Sequence, residues 1–242
     1  MEAVSSPLAP TALPSHRAFG YTHVLYREGD SLGQVLALIS LTPVFVMVSY
    51  AALLLSRRDL GTAALAAGQL TNECLNYALK RLLRQPRPSH EHAHLDTQPK
   101  WGMPSDHSQF VGFAAAYLTL WAATRWRVAP AQRAVAAIAL HVGAAAVMYS
   151  RVYLGYHTVA QVGVGYGVGL ATGAAWYAFV EAAARPAFPA LADVALARWL
   201  LVRDCGDVED VLTVEYTATR RAAAAAAATA AAGRPAAGGK RR

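Results

Sequence analysis

Apolar positions along the chain gather into five long runs, residues 33–55, 61–83, 108–124, 134–149 and 159–182, separated by shorter polar and basic stretches. About 20 mostly apolar residues in a helix cross the roughly 30 Å hydrocarbon core of a bilayer. The pattern therefore predicts an all-α fold, a polytopic membrane bundle of about five transmembrane helices. Residues 21–30, with their tyrosines, and residues 188–202, interrupted by Pro189, Asp193 and Arg198, read as interfacial segments. Residues 1–20 are rich in Pro, Ser and Ala and read as a disordered N-terminus ahead of a membrane-embedded domain over 21–220. With no continuous apolar core in 1–20, the first run is expected to serve as the membrane anchor instead of a cleaved leader. The Ala/Arg-rich tail, 221–242, is expected to be disordered; its run 222–232 is helix-prone but too short to span.

The second run departs from what lipid tolerates. Asn72, Glu73, Asn76 and Lys80 recur at helical spacing, so one face of this helix is polar and must look inward. The asparagines suit interhelical hydrogen bonding, whereas a carboxylate and an ammonium on one face point to function. The fifth run carries Gly163, Gly165, Gly167, Gly169 and Gly173, whose spacings of four suit close helix packing and not phosphate binding. Arg57 and Arg58 after the first run, and Arg125, Arg127 and Arg133 after the third, mark cytoplasmic turns. An N-terminus on the outer or lumenal side follows, with the C-terminus in the cytosol. Lys80, Arg87, His107, Arg151 and His157 are then all expected at the non-cytoplasmic face.

Composition supports a membrane protein: 55% of residues are hydrophobic and 15% charged, against roughly a quarter charged in soluble domains. The net charge of +7 is divided between helix flanks and the candidate site, which argues against a nucleic-acid partner. The two cysteines, Cys74 and Cys205, make no disulfide framework. His90, His92 and His94 alternate in a proline-rich loop, where solvation is the simpler reading than zinc.

Three short stretches carry the chemistry: Lys80 to Pro88 (KRLLRQPRP), Pro104 to His107 (PSDH), and Ser150, Arg151 and His157 within SRVYLGYHTVAQ. Three fixed cations at a membrane boundary are costly unless an anion meets them, and a phosphoryl group satisfies them. Pro104 and Ser105 suit a helix start, whose free N–H groups attract an anion. Phosphoryl transfer without a metal needs a nucleophile, an acid toward the leaving oxygen and positive charge around the equatorial oxygens. His157 and His107 can fill the first two roles. An attacking imidazole holds its proton on the other ring nitrogen, which Gln161, one helical turn on, can accept. Glu73 is the alternative source of that hold, or a partner of Lys80.

These motifs resemble the type 2 phosphatidic acid phosphatase superfamily, which shares its site with vanadium haloperoxidases. Lys80 with Arg87-Pro88, Pro104-Ser105 with His107, and Ser150-Arg151 with His157 match its three motifs in order. The resemblance implies His157 as a nucleophile forming a phosphohistidine and His107 as the acid. It implies Lys80, Arg87, Ser105 and Arg151 as phosphate ligands, and neither a cofactor nor a metal. The stretches 102–110, 150–162 and 214–220 look like the branch that hydrolyses dolichyl diphosphate in the endoplasmic reticulum, recycling the carrier for N-glycosylation. The implied partners are a polyprenyl diphosphate lipid and the bilayer. Two departures stand out: Asp106 where a small residue is usual, and Gln161 where the wider superfamily has an aspartate. A broad phosphatase acting on phosphatidate or sphingoid phosphates is the alternative, and an inactive phosphate-binding protein a weaker one.

Overall fold

A computed structural model describes residues 24–88 and 101–232. The described residues form helices joined by short connections. Helices α1 (Ser31–Ser40) and α2 (Thr42–Arg57) together make one 27-residue crossing with a break at Leu41. Pro43, at the start of α2, lacks the N–H that an unbroken helix would use and crowds the preceding turn. The break leaves Ser40 fully buried at the end of α1.

Helix α3 (Leu60–Leu83) starts at Asp59, whose carboxylate accepts from Thr62 N at 2.8 Å, and ends at Arg84 in a left-handed conformation. Helices α4 (Asp106–Thr124), α5 (Pro130–Tyr153) and α6 (Val159–Phe179) complete the bundle. At about 1.5 Å per residue, all five segments are long enough to cross a bilayer. By composition alone only α1–α2 and α5 meet that test among the described residues. The polar face of α3 and the glycines of α6 lower the hydropathy of their helices, because these positions serve contacts within the bundle.

Helices α4 and α6 approach most closely. A Cβ at Gly165 would stand 2.5 Å from the carbonyl oxygen of Ser105, and one at Gly173 2.5 Å from that of Phe113. With Gly169 they form a stripe of period four against α4, while Gly163 and Gly167 face open space. A buried amide clamp ties in α3. Asn76 Nδ2 donates to Gln109 Oε1 at 2.8 Å, Gln109 Nε2 donates to Asn72 Oδ1 at 2.9 Å, and Thr172 Oγ1 donates to the same oxygen at 2.8 Å. Every partner in the clamp is internal, so these amides cost little in lipid.

Beyond α6 the chain passes through a π turn (Val180–Ala184) and two short helices, α7 (Phe188–Ala192) and α8 (Ala195–Trp199). The segment 188–202 is thus broken, not one interfacial helix. Arg203 returns to the α2–α3 turn, its N–H donating to Arg58 O at 3.0 Å. The tail expectation needs correction over 221–232: helix α9 runs Val211–Ala232, because alanine is the strongest helix former and extends the helix begun at Val211. Residues 1–23, 89–100 and 233–242 lie outside the described residues, and with them the expectations for residues 1–20, for His90, His92 and His94, and for the end of the tail.

Candidate active site

Alternating helix directions bring the C-terminal ends of α3 and α5 and the N-terminal ends of α4 and α6 to one end of the bundle. Lys80, Arg87, Ser105, Asp106, His107, Arg151 and His157 all lie there. The sequence-predicted cations and histidines converge, and Asp106 stands among them.

His157 occupies the turn between α5 and α6 and is 2% exposed. Its two ring nitrogens face different surroundings. Nδ1 lies 3.2 Å from Gln161 Oε1. The orientation of the Gln161 amide follows from its other bond, Nε2 donating to Pro86 O at 2.8 Å. Oε1 must then accept, from Nδ1–H and from Thr158 N at 3.3 Å. On the far side of the ring, Nε2 lies 3.1 Å from Arg87 Nη1. A guanidinium only donates, so Nε2 carries the lone pair. Burial first of all, opposed by the Asp106 carboxylate and reinforced by Arg87, pushes the His157 imidazole down to about 4. The neutral tautomer, with Nε2 unprotonated, is the one favoured at neutral pH.

Gln161 is placed by local structure. It is the third residue of α6 and forms a capping box with Thr158, whose Oγ1 accepts from Gln161 N at 3.2 Å. Gly102 closes the other side: a Cβ there would stand 2.7 Å from the Gln161 amide. The Gln161 carbonyl accepts from Ser105 N at 3.1 Å, which joins the starts of α4 and α6.

Arg151, in the last turn of α5, is 3% exposed. Its Nη1 donates to Ser40 Oγ at 3.2 Å, and its guanidinium lies 4.1 Å from the centroid of the Tyr156 ring. Tyr156 is itself held by Leu25 N, which donates to its hydroxyl at 2.8 Å. Arg151 Nε is buried with no hydrogen-bond partner in the structure. Ser105 caps α4, and its Oγ accepts from Ser108 Oγ at 3.1 Å. Asp106, the first residue of α4, directs Oδ1 to within 3.5 Å of Lys80 Nζ, 3.3 Å of His107 Nδ1 and 3.6 Å of His157 Nε2. Glu73, the alternative holder of His157, has its Oε1 buried without a hydrogen-bond partner.

Sequence reasoning did not single out Ser40, Tyr156 or Gln109. Ser40 sits inside an apolar run and gains meaning only when α1 meets α5. Gln109 had a signal, a glutamine one turn into a membrane helix, which requires an internal partner.

The fold and the clustered motifs define a membrane-embedded phosphatase: residues 61–185 match the PAP2 superfamily, and the chain belongs to it. Among characterised relatives it is 37% identical to dolichyldiphosphatase 1 of Homo sapiens, covering 85% of this chain and 89% of that protein. It is 35% identical to dolichyldiphosphatase of Saccharomyces cerevisiae over 74% and 76% of the two chains. It is also 37% identical to lipid phosphate phosphatase gamma of Arabidopsis thaliana, over 85% and 92%. The fold is similar to the crystal structure of a PAP2-type phosphatidylglycerolphosphate phosphatase from Bacillus subtilis, with a TM-score of 0.52, 22% identity, and 65% and 80% of the two chains covered.

Proposed function

We propose that the chain hydrolyses dolichyl diphosphate to dolichyl phosphate and inorganic phosphate, in the endoplasmic-reticulum membrane with the site on the lumenal side. The observation that carries the chemistry is His157, neutral, tied at Nδ1 to Gln161 and presenting Nε2 to a cluster of cations. Nε2 attacks the terminal phosphorus, and the bond from phosphorus to the bridging oxygen breaks. The bonding electrons leave with dolichyl phosphate, toward which His107 acts as acid. Water then attacks the phosphohistidine, His107 accepting its proton, and phosphate leaves with His157 neutral again. Lys80, Arg87 and Arg151 neutralise the charge gathering on the equatorial oxygens. The buried, unpartnered Nε of Arg151 is a donor such an oxygen would satisfy.

The similarity to dolichyldiphosphatases supports the substrate, and so does an apolar groove of about 940 Å³ between α2, α4 and α5. It begins beside Phe110, one turn past His107, and continues to Trp121 and Trp126. An isoprenoid tail lies along it in this reading. The Arabidopsis relative favours a second reading, a broader lipid phosphate phosphatase using the same residues. Phosphate release by the purified protein in detergent separates the two: a polyprenyl diphosphate should turn over at least tenfold faster than its monophosphate or phosphatidate, and equal rates would establish the broader enzyme.

A further inference from the structure

We infer that Asp106 is an internal competitor for the phosphoryl site, setting how weakly the protein holds inorganic phosphate. This rests on reading the cluster as a phosphoryl site. The Asp106 carboxylate is the one anion inside the ring of cations and histidines among the described residues that form it. A single oxygen, Oδ1, lies 3.5 Å from Lys80 Nζ, 3.3 Å from His107 Nδ1 and 3.6 Å from the unprotonated His157 Nε2, buried and without a hydrogen-bond partner. A phosphoryl group in line with Nε2 must bring its phosphorus to that nitrogen and its oxygens to Lys80 and His107, the space Oδ1 occupies. Two anions do not share that space, so the carboxylate must leave as phosphate enters.

The structure gives it a way out. The Asp106 side chain is 31% exposed while that of His157 is fully buried. As the first residue of α4, Asp106 leaves the ring by side-chain rotation with the helix and its Ser105 cap in place. Leaving costs the same for every phosphoryl ligand. Inorganic phosphate must meet that cost from its own contacts, whereas a lipid diphosphate adds the binding of its tail. Asp106 therefore weakens every phosphoryl ligand by the same factor, which leaves product phosphate, with no tail to add binding, weakly held, and it keeps Lys80 and His107 near their working positions between turnovers.

The test uses the full-length protein in detergent with inorganic phosphate and orthovanadate as probes. Binding is read both as a rise in melting temperature and as inhibition of diphosphate hydrolysis. Asp106→Asn, nearly isosteric, and Asp106→Ser should each bind both anions at least tenfold more tightly than wild type, while Asp106→Glu should stay within about threefold. Unchanged or weaker binding in the two neutral variants overturns the inference. A measurement on the wild type covers the case in which the variants do not fold: a water-soluble carbodiimide should label Asp106 faster when phosphate saturates the site, and protection by phosphate overturns it. The melting and labelling arms need no turnover. Failure to hydrolyse dolichyl diphosphate would thus count against the proposed function and leave this inference to be decided by anion binding.

Discussion

A neutral amide holds His157, the nucleophile in the proposed mechanism. Gln161 Oε1 fixes the proton on Nδ1 and thereby exposes Nε2, but it stabilises a cationic ring less than a carboxylate would. Gln161→Ala should lower kcat about tenfold or more, on the order of 1.4 kcal/mol or more, with KM little changed. The same change removes half of the α6 capping box and should lower stability by about 1 kcal/mol. Gln161→Glu should retain more activity than alanine; a fully active Gln161→Ala protein would transfer the holding role elsewhere. The buried imidazole adds a pH consequence. Its folded value of about 4 lies below the ordinary 6.5, so the unfolded chain takes up more protons between those limits. The contribution of this group to stability is therefore fully present above about pH 6.5 and is lost as pH falls toward 4. Its nucleophilic form likewise persists down to about pH 4. A profile of kcat/KM should show no loss attributable to His157 near pH 6.5; an acid limb there that Gln161→Glu moves upward would contradict the assignment.

Helices were legible because their period and their flanking arginines are local signals. The five apolar runs appear as helices with ends shifted by a few residues, and the polar face of α3 points inward as its charge pattern demanded. The break at Leu41 and the clamp of Asn72, Asn76, Gln109 and Thr172 were not legible, since they depend on which helices meet. The glycines of α6 show the same limit. Their spacing is plain in the sequence, while the structure separates Gly165, Gly169 and Gly173, where an added Cβ would run into α4, from Gly163 and Gly167, where it would meet nothing within 4 Å. Gly169→Ala forces α4 and α6 apart and should cost at least about 1–3 kcal/mol, seen as a lower melting temperature and lost activity. Gly163→Ala and Gly167→Ala should melt within a degree or two of wild type. Equal behaviour of the two sets would mean that α6 packs on another face.

The whole molecule combines a charged end with an apolar body. In the proposed mechanism Lys80, Arg87 and Arg151 supply the positive charge that a metal supplies in other phosphatases, so turnover should persist in EDTA; loss restored by zinc would direct attention to His90, His92 and His94. Filling the apolar groove, as with Gly143→Phe, should raise KM for a long polyprenyl diphosphate at least fivefold more than for farnesyl diphosphate. The convergence of Lys80, Arg87, His107, Arg151 and His157 at one end of the bundle was legible from motif order and helix count. The place of Asp106 inside the cation ring was not, because an acidic residue at a helix start reads equally well as a favourable interaction with the helix dipole. The phosphohistidine is tested by quenching the protein during turnover of a diphosphate labelled at the terminal phosphorus. A phosphoenzyme should be trapped that is labile to acid and stable to base, maps to His157 and is missing from His157→Ala. Undiminished phosphate release by His157→Ala, or label on another residue, would contradict it.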